Sequence, residues 1–115
     1  MSRLCRLDEV PDGGARGFPL DAADDASPKV IVVRRGRAAW VYRNRCPHRG
    51  TPLDWVPDRF LDVGGEHLIC ATHGAVFRIE DGLCLAGPCA GDALVAVAAT
   101  VADGEVVLAE PAPER

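Results

Sequence analysis

The chain has 115 residues, 48% of them apolar and 26% charged, enough for one domain with a modest core and too few for two. A net charge of -4 argues against nucleic acid as a partner, because its binders carry a basic face. No apolar run approaches the roughly 18 residues of a membrane span, and charge returns at Arg3 and Arg6 before any apolar stretch can build. Neither a membrane nor a secretory route is therefore expected, and a cytoplasmic protein is.

Aromatic residues make up only 5%, so Ala, Val and Leu must do most of the packing. In chain order, a weak strand is predicted over residues 3–7, ended by Pro11-Asp12-Gly13-Gly14. A second covers residues 16–20 and gives way to an acidic, proline-containing connection over 21–28. The β-branched run Val30-Ile31-Val32-Val33 predicts a strand over 29–34, and Ala39-Trp40-Val41-Tyr42 another over 37–43. Arg35-Gly36 between them reads as the turn of a tight hairpin, where glycine accepts a positive φ at no steric cost. From Asn44 to about Leu83 the pattern loosens around prolines and glycines, with short strands predicted over 66–70 and 75–79. The last two strands are predicted over 93–99 and 105–109, joined around Asp103-Gly104. The fold class expected is all-β, with strands at both ends of the chain and a loop-rich insertion between them.

Five cysteines and three histidines carry the chemical information. An odd thiol count without a secretory signal points to metal ligands rather than a disulfide scaffold. Cys46-Pro47-His48 is a C-x-H pair, and Cys70-Ala71-Thr72-His73 is a C-x-x-H pair, each followed by a glycine, Gly50 or Gly74. Two thiolates and two imidazoles suit a soft metal centre. Zinc accepts the same four donors, but commonly as C-x2-4-C and H-x3-5-H. Mixed pairs suit a binuclear cluster, with each loop giving its cysteine to one iron and its histidine to the other. Colour separates the two, since an iron–sulfur protein is brown. His67 reads as a partly exposed surface histidine, and Cys5, Cys84 and Cys89 as small apolar residues near the core. A sulfur contact or disulfide between Cys84 and Cys89 is the alternative. Trp40 and Trp55 read as packing residues. Arg45, Arg49 and Arg78 are candidates for a positive docking rim.

The stretches Cys46-Pro47-His48-Arg49-Gly50-Thr51-Pro52-Leu53 and Cys70-Ala71-Thr72-His73-Gly74-Ala75-Val76-Phe77, followed by Gly82 and Gly87-Pro88, resemble the Rieske family. The resemblance implies a β-sandwich with an inserted loop-rich cluster-binding subdomain. It implies a [2Fe–2S] cluster held by Cys46, His48, Cys70 and His73, and a shielding third loop near Gly87-Pro88. One domain is expected over residues 1–110, with the cluster-binding part over about 44–90 and a frayed tail at 111–115. High-potential members carry an extra cysteine in each loop, where this chain has Thr51 and Thr72. They also carry a serine and a tyrosine that donate to cluster sulfurs, where this chain has Ala75 and Phe77, whose side chains cannot donate. A midpoint potential near about −150 mV is therefore expected. It should fall as pH rises through the pKa of the oxidised-state ligand histidines. The pattern is similar to that of the small ferredoxins serving bacterial aromatic-ring dioxygenases.

Once His48 and His73 are assigned, only His67 remains, too few to build a two-histidine, one-carboxylate iron site. No glycine-rich nucleotide fingerprint occurs. The chain is therefore expected to be a one-electron carrier rather than an enzyme. Its implied partners are a flavin-dependent reductase and a terminal oxygenase. Alternatives are the electron-transfer subunit of a larger reductase, such as nitrite reductase, and a zinc-stabilised interaction module.

Overall fold

The computed structural model describes residues 2–21, 24–47, 53, 60–61, 64–70, 74–87 and 90–108, with the backbone alone at 2, 21 and 24–28. Among these, nine strands form three antiparallel sheets: β1 (Ser2–Arg6), β2 (Ala15–Asp21), β3 (Asp24–Arg35), β4 (Ala38–Arg43), β5 (His67–Cys70), β6 (Ala75–Arg78), β7 (Cys84–Ala86), β8 (Ala99–Ala102) and β9 (Glu105–Leu108). The spatial orders are β1-β9-β8, β2-β3-β4 and β5-β6-β7. The all-β class read from the sequence is the class observed. A 3-10 turn at Leu7–Glu9 is the one helical element among the described residues, and no helix there is long and apolar enough to cross a membrane.

The run Val30-Ile31-Val32-Val33 explains how the sheets stack. Neighbouring side chains of a strand point to opposite faces, so four consecutive apolar residues suit a strand covered on both sides. Val30 and Val32 of β3 and Val41 of β4 pack with Leu4, Cys5, Leu7, Val10, Val106 and Leu108. Ile31, Val33 and Tyr42 pack instead with Leu53, Phe60, Leu68, Phe77 and Ile79. The middle sheet β2-β3-β4 thus separates a base core, shared with β1-β9-β8, from a second core shared with β5-β6-β7.

Two predicted turns form where glycine chemistry requires them. Arg35 pairs with Ala38, so the β3–β4 loop is Gly36-Arg37, one residue later than expected, with φ +62 at Gly36. Ala102 pairs with Glu105, and both loop residues take positive φ, +53 at Asp103 and +76 at Gly104, as a type I′ hairpin demands.

Three elements depart from the sequence expectation. Residues 21–28 were expected as a connection, yet β2 runs to Asp21 and β3 starts at Asp24, and those two residues pair. The ladder shifts register between Pro19 and Asp21. The strand expected over 93–99 forms at Ala99–Ala102 instead. The preceding segment touches two partners in turn, bridging Leu83 through Ala93 and Tyr42 through Ala96. No single ladder can therefore run through it. Strand β7 was not anticipated, because Cys-Leu-Ala is too short to show a period.

Candidate metal centre

The two predicted cysteine ligands sit at the mouths of two differently built loops. Cys46 follows β4, after Arg45, whose N–H donates to the carbonyl of Arg43 at 2.9 Å. Cys70 is the last residue of β5 and pairs with Ala75, the first of β6. The chain turns back between them because Gly74 takes φ +71 and its N–H donates to the Cys70 carbonyl at 2.8 Å. Both cysteine side chains are 0% exposed and belong to one apolar cluster with Leu53, Ala75, Phe77 and Cys84. The structure therefore brings the two thiols into the same core, although 24 positions separate them in sequence. His48 and His73 lie outside the described residues, as do Arg49, Thr51, Trp55, Thr72, Pro88 and Cys89. Among the described residues no three His, Cys, Asp or Glu side chains converge on one point.

Among the described residues, the two side chains at the places of the family's serine and tyrosine donors are buried and apolar. Ala75 and Phe77 are both 0% exposed, and neither carries a polar hydrogen. Gly87, at φ +103, lies against Ala75, so that a Cβ there would come within 2.7 Å of the Ala75 Cα. The third loop can approach the second only because residue 87 has no side chain. Buried thiols from separate loops, with apolar neighbours and glycines where backbone comes close, fit a thiolate-ligated cluster better than a hydrated ion.

Beneath the site, Tyr42 fastens the β6–β7 turn to the middle sheet. Its side chain is 2% exposed, and its hydroxyl donates to the Ile79 carbonyl at 2.5 Å. Burial, with Asp81 and Glu80 nearby, pushes the phenol up to about 12, so it stays a donor. A Cβ at Gly82 would meet the Tyr42 ring at 2.9 Å. On the surface of the same turn, Asp81 accepts from Arg78 Nε at 3.0 Å and from the Leu83 N–H at 3.0 Å. These bonds hold the Asp81 carboxyl down at about 2, the Arg78 contact contributing most. Arg78, one of the candidates for the docking rim, pairs with Asp81 within its own hairpin, and Arg45 is exposed.

Cys5, Cys84, His67 and Trp40 sit where the sequence reading placed them. Cys5 is buried in the base core, and burial pushes its thiol up to about 12. Cys84 is buried, and its Sγ donates to the Ala86 carbonyl at 3.2 Å. His67 is half-buried on β5, and Trp40 packs against the second core. Sequence reasoning missed the duties of Tyr42 and Asn44. Asn44 Oδ1 accepts from the Leu53 N–H at 2.7 Å.

Residues 1–107 match the model of the Rieske [2Fe-2S] domain. The chain belongs to the Rieske [2Fe–2S] family, and its cofactor is a [2Fe–2S] cluster. Among solved structures it is similar to the ferredoxin of carbazole 1,9a-dioxygenase from Nocardioides aromaticivorans IC177. That likeness has a TM-score of 0.72 at 25% identity, over 95% of this chain and 96% of the other. It is equally similar to a Sphingomonas yanoikuyae B1 ferredoxin, with a TM-score of 0.72 at 28% identity, over 95% and 97%. The terminal oxygenase of carbazole 1,9a-dioxygenase from Nocardioides aromaticivorans IC177 shares the fold at 20% identity, this chain covering 31% of it. No curated protein matches by sequence.

Proposed function

We propose that Cys46 and Cys70 bind one iron of the cluster, that His48 and His73 bind the other, and that the chain carries single electrons from a flavin-dependent reductase to a terminal oxygenase. The observation that carries this reading is the meeting of two fully buried thiols, from two separate loops, in one apolar cluster of a Rieske-family chain. Each stands two or three positions ahead of a histidine. The cluster supplies reversible one-electron chemistry when bound. The protein's part is to keep both thiols away from water and to hold the loops that bear them. At positions 75 and 77 it offers the cluster no side-chain donor, since Ala75 and Phe77 have none. Donors at those two positions would favour the reduced, more negative state, so Ala75 and Phe77 support a potential toward the low end of the Rieske range, about −150 mV. The oxygenase as recipient is supported by the likeness to full-length ferredoxins, one of them named for a carbazole dioxygenase.

The test is iron and acid-labile sulfide analysis of freshly purified protein. A potentiometric titration followed by electron paramagnetic resonance completes it. Two irons and two sulfides per chain, with a reversible one-electron wave, are expected. Zinc without redox activity would sink the proposal. A midpoint well above zero would sink the low-potential assignment alone.

A further inference from the structure

The two ligand loops are closed by unlike means. The second is closed by a β-ladder, with Cys70 paired to Ala75 and Gly74 bonded to Cys70. The first leaves the end of β4, and among the described residues no strand receives it. Among the described residues its ends meet through a side chain, in the bond from the Leu53 N–H to Asn44 Oδ1 at 2.7 Å, spanning nine positions. Both ends are rooted. The Asn44 N–H donates to the Lys29 carbonyl at 3.0 Å, tying residue 44 to β3. Leu53 is 0% exposed in the core that holds Cys46 and Cys70. Cys46 and His48 both lie in the sequence between these anchors.

On the ligand assignment proposed above, we infer that Asn44 is the positioning residue of the first ligand loop. Its amide oxygen stands where the second loop has strand pairing, and it fixes where the chain leaves and rejoins the core around Cys46 and His48. Closing a loop limits the arrangements open to its ligands, and groups that orient ligands act on metal retention without touching the metal. Asparagine suits the place because its short side chain reaches backbone N–H groups further along the chain. A neutral oxygen accepts there without adding charge beside the ligands.

The experiment compares Asn44→Ala, Asn44→Gln and Asn44→Asp with Val106→Ala, which thins the base core instead. Hydrogen exchange at the Leu53 amide is read by mass spectrometry in protein as purified. It should quicken about tenfold or more in N44A and N44Q, return toward the parent rate in N44D, and hold in V106A. The cluster half-life, read by visible absorbance, should shorten about tenfold in N44A and N44Q, with shifted electron paramagnetic resonance g-values. N44D should restore the half-life and V106A should change neither. N44Q keeps the amide on an arm of the wrong reach, so the comparison stands even where N44A folds poorly. Leu53 exchange unchanged in both N44A and N44Q would overturn the inference, as would g-values and half-life that shift equally in V106A. A parent protein without iron and sulfide would sink the proposed function, while Leu53 exchange would still report on the clamp.

Discussion

The base core and the site-bearing core share the middle sheet but are built differently. The base closes by strand pairing, with one register shift between Arg3 and Cys5. Strand β9 lies between β1 and β8, and Val30, Val32, Val41, Val106 and Leu108 fill the space between the sheets. The site side uses strands of three or four residues, joined by positive-φ glycines at 74, 82 and 87 and pinned by side-chain bonds of Tyr42, Asn44 and Asp81. Regular ladders spread their stabilisation over many equivalent contacts, and losing one changes little. A loop region that must present ligands cannot run such ladders through them, so individual residues carry more of the positioning. The base therefore governs whether the chain folds, and the site side governs whether the cofactor stays.

The sharpest test of that division is a pair of thiol replacements. Cys70→Ser should abolish the visible absorbance of the cluster. Cys5→Ser should leave the spectrum intact and cost about 1–3 kcal/mol of stability in chemical denaturation, because it buries a hydroxyl among valines and leucines. Next come two glycines of equal backbone class. Gly104 at φ +76 faces open space and Gly87 at φ +103 faces Ala75. Gly104→Ala should cost only the strain of a left-handed residue, about 1–2 kcal/mol. Gly87→Ala adds a collision with backbone, so it should also speed cluster bleaching in air, which Gly104→Ala should not. Equal bleaching in the two variants would break the comparison.

Smaller effects test the pins. Tyr42→Phe leaves the Ile79 carbonyl without its donor and should cost about 1–2 kcal/mol by denaturant titration. Hydrogen exchange should quicken at the β6–β7 turn while that of β9 holds. The smallest effect is electrostatic. Asp81 is held at about 2 in the folded chain, below the ordinary value near about 3.9, so its contribution is present above that ordinary value and fades as pH falls through 2. The melting temperature of Asp81→Asn should lie slightly below the parent at pH 5 and meet it near pH 2, a gap modest at an exposed site. A constant gap across that range would show that the carboxylate charge is not what holds the turn.

The sequence disclosed what rests on local chemistry. The β-branched run and Gly36 wrote the β3–β4 hairpin, Asp103-Gly104 wrote the β8–β9 turn, and the cysteine–histidine spacing carried the family. What it concealed depends on distant partners. Residues 93–98 look like one strand because their composition is uniform, yet they bridge Leu83 and then Tyr42. Tyr42 and Asn44 are unremarkable in sequence, since the carbonyl of Ile79 and the N–H of Leu53 reach them only after the chain has folded. Arg78 looked like an available cation because its hairpin partner, Asp81, could not be assigned before the turn was seen.

Shared walls limit modular engineering. A segment cut out at residues 44 and 90 and grafted elsewhere would leave behind Ile31, Val33, Tyr42 and Leu94, four side chains of the very core that encloses Cys46 and Cys70. A transplant would have to carry β3 and β4 with it, or supply a host surface shaped to replace them. The same wall couples the two halves, because a volume change on one face of β3 shifts the strand that the other face leans on.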